Sequence, residues 1–432
     1  MKRQIINELI KWKENPRRKP LVMQGARQVG KTWIVKEFGK LYYKQLAYIN
    51  FENAKPMRNL FVQDFDIERI LLQVKTYCNV PIVAGETLIF FDEIQEAEGG
   101  LTALKYFKEM APELHIVVAG SLLGISIHKG LSFPVGMVNF MELYPMSFSE
   151  FLDATGETML AEMLRAQRWD VIEPLHQKLV ERLKHYFYVG GMPEAVKAFV
   201  ERQDWAEVRE IHQEILRGYE NDFSKHAPTQ ILPRIQQIWR SIPKQLSREN
   251  RKFLFGLIKE GARAREYEES LQWIYDSGLL YDVHCLTSPK IPLSAYIDER
   301  AFKVYLNDVG LLATLSDLDA KTLLYDNAIF VEFKGALTEQ YVFGELRMTE
   351  KLYYWSKESS SQEVDFIIQK DSTILPIEVK SNENVRSKSL KTFVAEQNLS
   401  HAYRTSILPY HDDGWLTNIP LYGIESIGHL QG

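Results

Sequence analysis

Three groups of residues in this chain have the types and spacing for chemistry on phosphates. The first is Gly25-Ala26-Arg27-Gln28-Val29-Gly30-Lys31-Thr32, which reads G-x-x-x-x-G-K-T. Gly25 and Gly30 let the backbone curl so that its N–H groups face an anion with no Cβ in the way. Lys31 can reach the terminal phosphates of a nucleotide, and the Thr32 hydroxyl can ligate Mg²⁺. The candidate binding set is therefore Gly25, Ala26, Arg27, Gln28, Val29, Gly30, Lys31, Thr32 and, at the start of the following helix, Trp33. The second group is Asp92-Glu93, at the end of the apolar run Thr87-Leu88-Ile89-Phe90-Phe91. Asp92 is placed to hold Mg²⁺ through water, and Glu93 to act as general base on an attacking water. The third is Asp365 followed by Glu378-Val379-Lys380. Glu378 and Lys380 are two apart on a strand, so both leave one face. With Asp365 on a paired neighbour, two carboxylates would hold Mg²⁺, and Lys380 would orient or deprotonate a water attacking a phosphodiester.

These residues need elements to position them. Leu21-Val22-Met23 reads as a buried strand entering the glycine loop, and 32–38 as the helix leaving it, with its positive end aimed at the anion. A strand at 47–52, a helix at 67–77, the strand before Asp92, a helix at 101–110 and a strand at 114–121 follow. Strands alternating with helices predict an α/β fold, a parallel sheet with helices on both faces. Ser121, at the end of the last strand, either senses the γ-phosphate or, with Gly120, makes a strand-end turn.

The first third of the chain resembles the AAA-type ATPases of archaea and bacteria, related to the signal-transducing NTPases with many domains. The resemblance rests on residues 24–32, Phe91-Asp92-Glu93-Ile94-Gln95, Ala119-Gly120-Ser121 and the segment 143–151, Leu-Tyr-Pro-Met-Ser-Phe-Ser-Glu-Phe. It implies ATP and Mg²⁺ as ligands, and ATP hydrolysis carried by Lys31, Thr32, Asp92 and Glu93. Relatives often carry a basic residue after the glycine of Phe133-Pro134-Val135-Gly136, where this chain has Met137. An arginine supplied by a neighbouring subunit would imply a ring or dimer.

Beyond residue 147 the pattern changes. Residues 148–225 read as a helical lid or linker, with a turn at Gly190-Gly191-Met192-Pro193-Glu194. From about Gly190 onward the chain resembles the domain of unknown function that follows this type of ATPase. Residues 226–325 suggest a winged helix, three helices and then a strand at 279–283. Between 234 and 265 the basic residues Arg234, Arg240, Lys244, Arg248, Arg251, Lys252, Lys259, Arg263 and Arg265 face only Glu249 and Glu260. That surface is a DNA contact, a solvated basic face, or an arginine-bearing surface for the ATPase site.

Residues 326–432 read as a helix at 331–348 carrying Glu339, three strands, a helix at 387–397 and a strand at 402–407. This order, with Asp365, Glu378 and Lys380, resembles the PD-(D/E)xK core of restriction-endonuclease-like nucleases, and Glu339 would be an additional metal ligand. A Glu-x-Lys strand is also a frequent solvated face with a cross-strand ion pair.

With 432 residues, roughly two to four domains are expected. The expected division is 1–147, 148–225, 226–325 and 326–432. A hydrophobic content of 45% and a charged content of 25% are those of a globular protein in water. The net charge of −5 excludes a chain that is basic throughout, but not a local basic face. Cys78 and Cys285 fit no metal or redox spacing, so a cytoplasmic location is expected. The N-terminus intersperses Lys2, Arg3, Glu8, Lys11 and Lys13 with apolar residues, unlike a signal peptide. No apolar run approaches the ~18 residues of a membrane span.

Three functions are consistent with these features. One is an ATPase whose nucleotide state is coupled to the C-terminal modules and an unidentified protein partner. Another is an ATP-gated, Mg²⁺-dependent nuclease acting on DNA. The third is a slow nucleotide switch or scaffold with an inert nuclease fold.

Overall fold

The run Leu21-Val22-Met23 forms β1 (Leu21–Gln24), buried on both faces up to Met23. The computed structural model describes residues 1–120, 136–248, 252–324, 331–357, 362–381 and 387–429. It divides into two compact units.

The first unit comprises Lys2–Tyr144 together with Asp276–Leu279. Its sheet contains β1, β2 (Gln45–Asn50), β3 (Thr87–Asp92), β4 (His115–Ala119) and β5 (Asn139–Glu142). The strand order is β2-β3-β4-β1-β5, and every pairing is parallel. Every residue of β3 and β4 is buried, as a parallel sheet covered on both sides requires. On one face Val22, Ile49, Ile89, Phe91, Ile116 and Val118 share a core with residues of α3 (Ile67–Cys78) and α4 (Gly100–Met110). Helix α2 (Lys31–Tyr42) packs on β2, β3 and β4 through residues outside that core, burying Ile34, Val35 and Phe38. Helix α1 (Ile5–Glu14) lies beside α2 and buries Leu9 and Trp12. The first unit is thus an α/β sandwich with helices on both faces, as the alternation of strands and helices predicts.

Register brings the strand ends level. Met23 pairs with Ala119, and Asp92 pairs with both Asn50 and Ala119. The loop after β1 and the carboxylates after β3 therefore emerge at one edge, separated by the width of β4.

The second unit begins with helices: Phe148–Ala154, Thr158–Arg165, His176–Val189, Pro193–Arg202 and Trp205–His226. Leu232–Leu246, Phe255–Ile258 and Ala264–Asp276 follow, then the antiparallel pair β6 (Leu280–Leu286) and β7 (Ile297–Leu306). The remainder runs helix Val331–Leu346, β8 (Tyr353–Ser356), β9 (Glu363–Lys370), β10 (Thr373–Val379), helix Lys388–Glu396 and β11 (Ala402–Ser406). The short β12 (His411–Asp412) and β13 (Leu416–Pro420) end the sheet. The order is β12-β13-β11-β10-β9-β8-β6-β7, a single mixed sheet. The hairpin β6–β7 thus joins the C-terminal strands, because β6 pairs in parallel with β8 through His284–Tyr353 and Cys285–Tyr354. Without that pairing, β8 would present an open edge. Among the described residues no helix is long and apolar enough to cross a membrane.

Gly25 is fixed by two independent demands. Its φ is +132°, and a Cβ there would lie 2.2 Å from the Leu143 carbonyl oxygen. We expect Gly25→Ala to destabilise the first unit by about 2 kcal/mol or more, read as a fall in the denaturation midpoint. An unchanged midpoint would show that the loop relaxes around the methyl group.

Candidate active site

The loop between β1 and α2 is held open by its own backbone. Gly30 is left-handed at φ +96°, and Gln28 takes φ +68° without being glycine. Val29 is buried, whereas Arg27, Gln28 and Trp33 are exposed beside the loop. Two residues far apart in sequence clamp it from behind. The buried Arg3 donates to the Val29 carbonyl at 3.2 Å and to the Tyr144 carbonyl at 2.6 Å.

Lys31 is buried and folded back over the loop, donating to the carbonyls of Gly25 and Ala26, each at 2.8 Å. Burial pushes its pKa down to about 8, although the nearby Glu93 and Asp92 carboxylates oppose that fall. Thr32 Oγ1 donates to Asp92 Oδ2 at 2.8 Å. The same carboxylate oxygen accepts from the Tyr48 hydroxyl at 3.1 Å. Burial raises the pKa of Asp92, while the hydrogen bond from Thr32 pulls it down. Lys36 places its ammonium 3.6 Å from the centre of the Tyr48 ring, which fixes that side chain from the α2 side.

Glu93 is the first residue beyond β3 and is left-handed at φ +50°, a costly conformation for a side chain of this kind. Its Oε2 accepts a short hydrogen bond from the Gln95 side chain. The chain therefore turns sharply at Glu93, immediately beyond β3. β4 ends at Ala119, level with Asp92. Ser121, and Phe133 to Val135 before Gly136, lie outside the described residues. Met137 is half-buried.

In the second unit, Glu378 and Lys380 do share a face, with Lys380 Nζ 3.0 Å from Glu378 Oε1. Asp365 lies across from them on β9, and its Oδ2 accepts from the Val379 backbone N–H at 2.7 Å. Glu378 is buried, and its other oxygen has no hydrogen-bond partner among the described residues. Glu339 is committed elsewhere. It is fully buried, 3.0 Å from the ammonium of Lys303, and also accepts from the Tyr305 hydroxyl. Lys303 pairs with Glu363 as well. Among the described residues no three His, Cys, Asp or Glu side chains are grouped to hold a metal ion.

Comparison with known proteins bears on these two regions differently. The AAA domain family matches residues 17–152. Those residues are an AAA-type P-loop ATPase domain. The ATPase domain accounts for the glycine loop and the Asp92-Glu93 pair. Residues 180–322 match a domain of unknown function (DUF8612), and residues 334–422 another (DUF4143). Among solved structures, the Walker-type ATPase PABY2304 of Pyrococcus abyssi is 14% identical, covering 72% of this chain and 94% of its own, with a TM-score of 0.44. The ORC2 protein of Aeropyrum pernix, solved as ADPNP–ADP complexes, is 17% identical over 74% of this chain and 89% of its own, with a TM-score of 0.34. Cdc6p of Pyrobaculum aerophilum is 13% identical over 75% and 93%, with a TM-score of 0.27. No curated protein matches the sequence.

Arg3 and Tyr48 are the site residues that motif reading passes over, and Gln95 enters it only as part of the segment 91–95. Arg3 is one cation among several on an amphipathic N-terminus, and Tyr48 alternates along a strand like any half-buried residue. Only Gln95, two residues past Glu93, carries a local signal.

The lowered pKa of Lys31 has a measurable consequence. As pH rises through about 8, the free protein loses the proton on Lys31. Nucleotide phosphates favour the charged form, so binding above that pH must take up a proton. We expect ATP affinity to fall between pH 7 and 9, with proton uptake appearing over the same range by calorimetry in buffers of different ionisation enthalpy. Lys31→Arg, which stays charged over this range, should bind without the uptake; equal uptake in that variant would assign the proton to another group.

Proposed function

We propose that this protein hydrolyses ATP at the first-unit site and that nucleotide state governs the modules that follow. The observation that carries the reading is the 2.8 Å hydrogen bond from Thr32 to Asp92. It joins the helix after the glycine loop to the end of β3, so the phosphate cradle and the carboxylate pair form one site. The site also fits its ligands. Gly25 at φ +132° and Gly30 at φ +96° give the loop the curled backbone that turns N–H groups toward an anion. Thr32 Oγ1 and Asp92 Oδ2 are hard oxygen donors of the kind that hold Mg²⁺. The ion, when bound, would neutralise charge developing on the phosphates.

The chain's own residues would act as follows. Lys31 would exchange the Gly25 and Ala26 carbonyls for phosphate oxygens, a trade favoured by its position over the loop. Glu93, which accepts a hydrogen bond from Gln95, would accept the proton of the attacking water. Tyr48 would keep Asp92 oriented. Ser121 would sense the γ-phosphate, and any arginine from a neighbouring subunit would act in trans. Lys31→Ala should lose ATP binding. Glu93→Gln should retain it and lose at least about 100-fold in turnover, the scale of a general base. Hydrolysis by either variant at the wild-type rate would remove these residues from the mechanism.

The second reading is a nuclease, favoured by the order helix, three strands, helix, strand at Val331–Ser406 and by the Glu378–Lys380 pair. Asp365 and Glu378 would hold Mg²⁺, with Lys380 on the attacking water. The buried, unpartnered oxygen of Glu378 fits a cation, whereas Glu339 is already neutralised by Lys303. The three helices before β6 and β7 likewise support the winged-helix reading of 226–325. If this reading holds, purified protein nicks plasmid DNA with Mg²⁺ or Mn²⁺, and Asp365→Ala or Lys380→Ala stops the nicking without touching ATP binding. A wild-type protein that cuts nothing with or without ATP would leave the domain as a binding platform.

A further inference from the structure

Helix Leu232–Leu246 has one apolar face and one cationic face. Ile235, Ile238, Trp239, Ile242, Gln245 and Leu246 are buried. Arg240, Lys244 and Arg248 recur at steps of four residues and are all exposed, and Arg234 is exposed in the first turn. A step of four advances about 6 Å along a helix, so Arg240 and Lys244 stand in a row, and Arg248 follows two residues beyond the helix end. No ion pair or side-chain hydrogen bond engages any of the four among the described residues. Arg165, Arg168, Arg182 and Arg202, by comparison, pair with carboxylates. The row also stands on a chain whose net charge is −5, so it is a local concentration of one sign rather than a property of the surface.

The helix that enters the groove in a winged-helix arrangement is the third. Here that helix, Ala264–Asp276, exposes Glu266, Glu268 and Glu269 against a single cation, Arg265. That excess of carboxylates would be repelled by a phosphate backbone. Cationic character is thus moved from the third helix to the first. Single strands are held by bases stacking on exposed aromatic rings, and no aromatic of residues 226–290 is among the exposed large hydrophobics. Trp239, Phe253 and Trp273 are all buried. What is left is a row of charges with no stacking platform, which suits the outside of a double helix.

We propose that Arg240, Lys244 and Arg248, with Arg234, form a docking surface for the phosphate backbone of a nucleic-acid duplex. The binding is sequence-independent and does not use the third helix. It rests on residues separate from the nucleotide site, so it stands or falls apart from ATP hydrolysis.

The test is titration of labelled DNA and RNA duplexes with full-length protein at several salt concentrations, followed by anisotropy. The Arg240→Gln/Lys244→Gln/Arg248→Gln variant should bind at least tenfold more weakly. The slope of log affinity against log salt should shrink by about 3, near 0.9 for each phosphate that the variant leaves unneutralised. Arg240→Lys/Arg248→Lys should bind like wild type, which separates charge from folding. Glu268→Gln/Glu269→Gln should bind as well as wild type or better. The DNA and RNA arms identify which duplex is preferred, and binding to either supports the surface. The proposal is overturned by a wild-type protein that binds neither duplex, or by an unchanged slope in the triple variant. It is equally overturned if Arg263→Gln/Arg265→Gln alone removes binding, or if polyglutamate or phosphatidylserine vesicles bind as tightly as the duplex. ATP turnover measured in the same variants should be unaltered.

Discussion

Thr32 and Asp92 are sixty residues apart and meet only because β1 and β3 end level in a sheet with β4 between them. The single hydrogen bond between them depends on the register of three parallel strands. A slip of one residue in β3 would send Asp92 to the opposite face and Phe91 into the polar edge. The apolar run Thr87-Leu88-Ile89-Phe90-Phe91 resists that slip, since both of its faces are packed. The core therefore places the carboxylate, and the hydrogen bond reports that it is in place.

A similar dependence appears in the second unit with opposite chemistry. Lys303 and Glu339 are both fully buried and face one another, with Tyr305 donating to the same carboxylate. Removing one charge from such a pair leaves the other uncompensated, a loss of about 3–5 kcal/mol in comparable cases. The pair ties β7 to the helix Val331–Leu346, so the hairpin that follows the basic segment is anchored to the helix that precedes the C-terminal strands. An internal ammonium thus fills the role beside Glu339 that a metal ion was expected to take.

Much of the first unit could be read directly. The glycine loop, the strand before Asp92 and the alternation of strands and helices are local patterns, and each found its element. The positions that escaped are those whose significance is tertiary. Arg3 matters because the N-terminal helix packs where its guanidinium reaches Val29 and Tyr144, which no spacing announces. Tyr48 matters because β2 neighbours β3. In the second unit the strand at 279–283 reads as the end of a winged helix, and neither its hairpin partner β7 nor its place in the C-terminal sheet is visible in sequence. Its pairing with β8 depends on residues about seventy positions away. Lys303 shows the same limit: a lysine within the strand sequence Ala301-Phe302-Lys303-Val304-Tyr305 looks solvent-facing until its partner is known.

The tetrapeptide Asp276–Leu279 belongs to the ATPase-bearing unit although the chain on both sides of it belongs to the other. Its Gly278, at φ +72°, lies so close to the glycine loop that a Cβ would come within 3.3 Å of the Ala26 amide nitrogen. The unit that holds the glycine loop is therefore assembled from two separate stretches of the chain. A fragment ending at Tyr144 would carry every residue of the phosphate site and still lack part of its own wall. A shortened chain meant to reproduce the surroundings of the glycine loop must therefore keep residues 276–279 as well as 2–144.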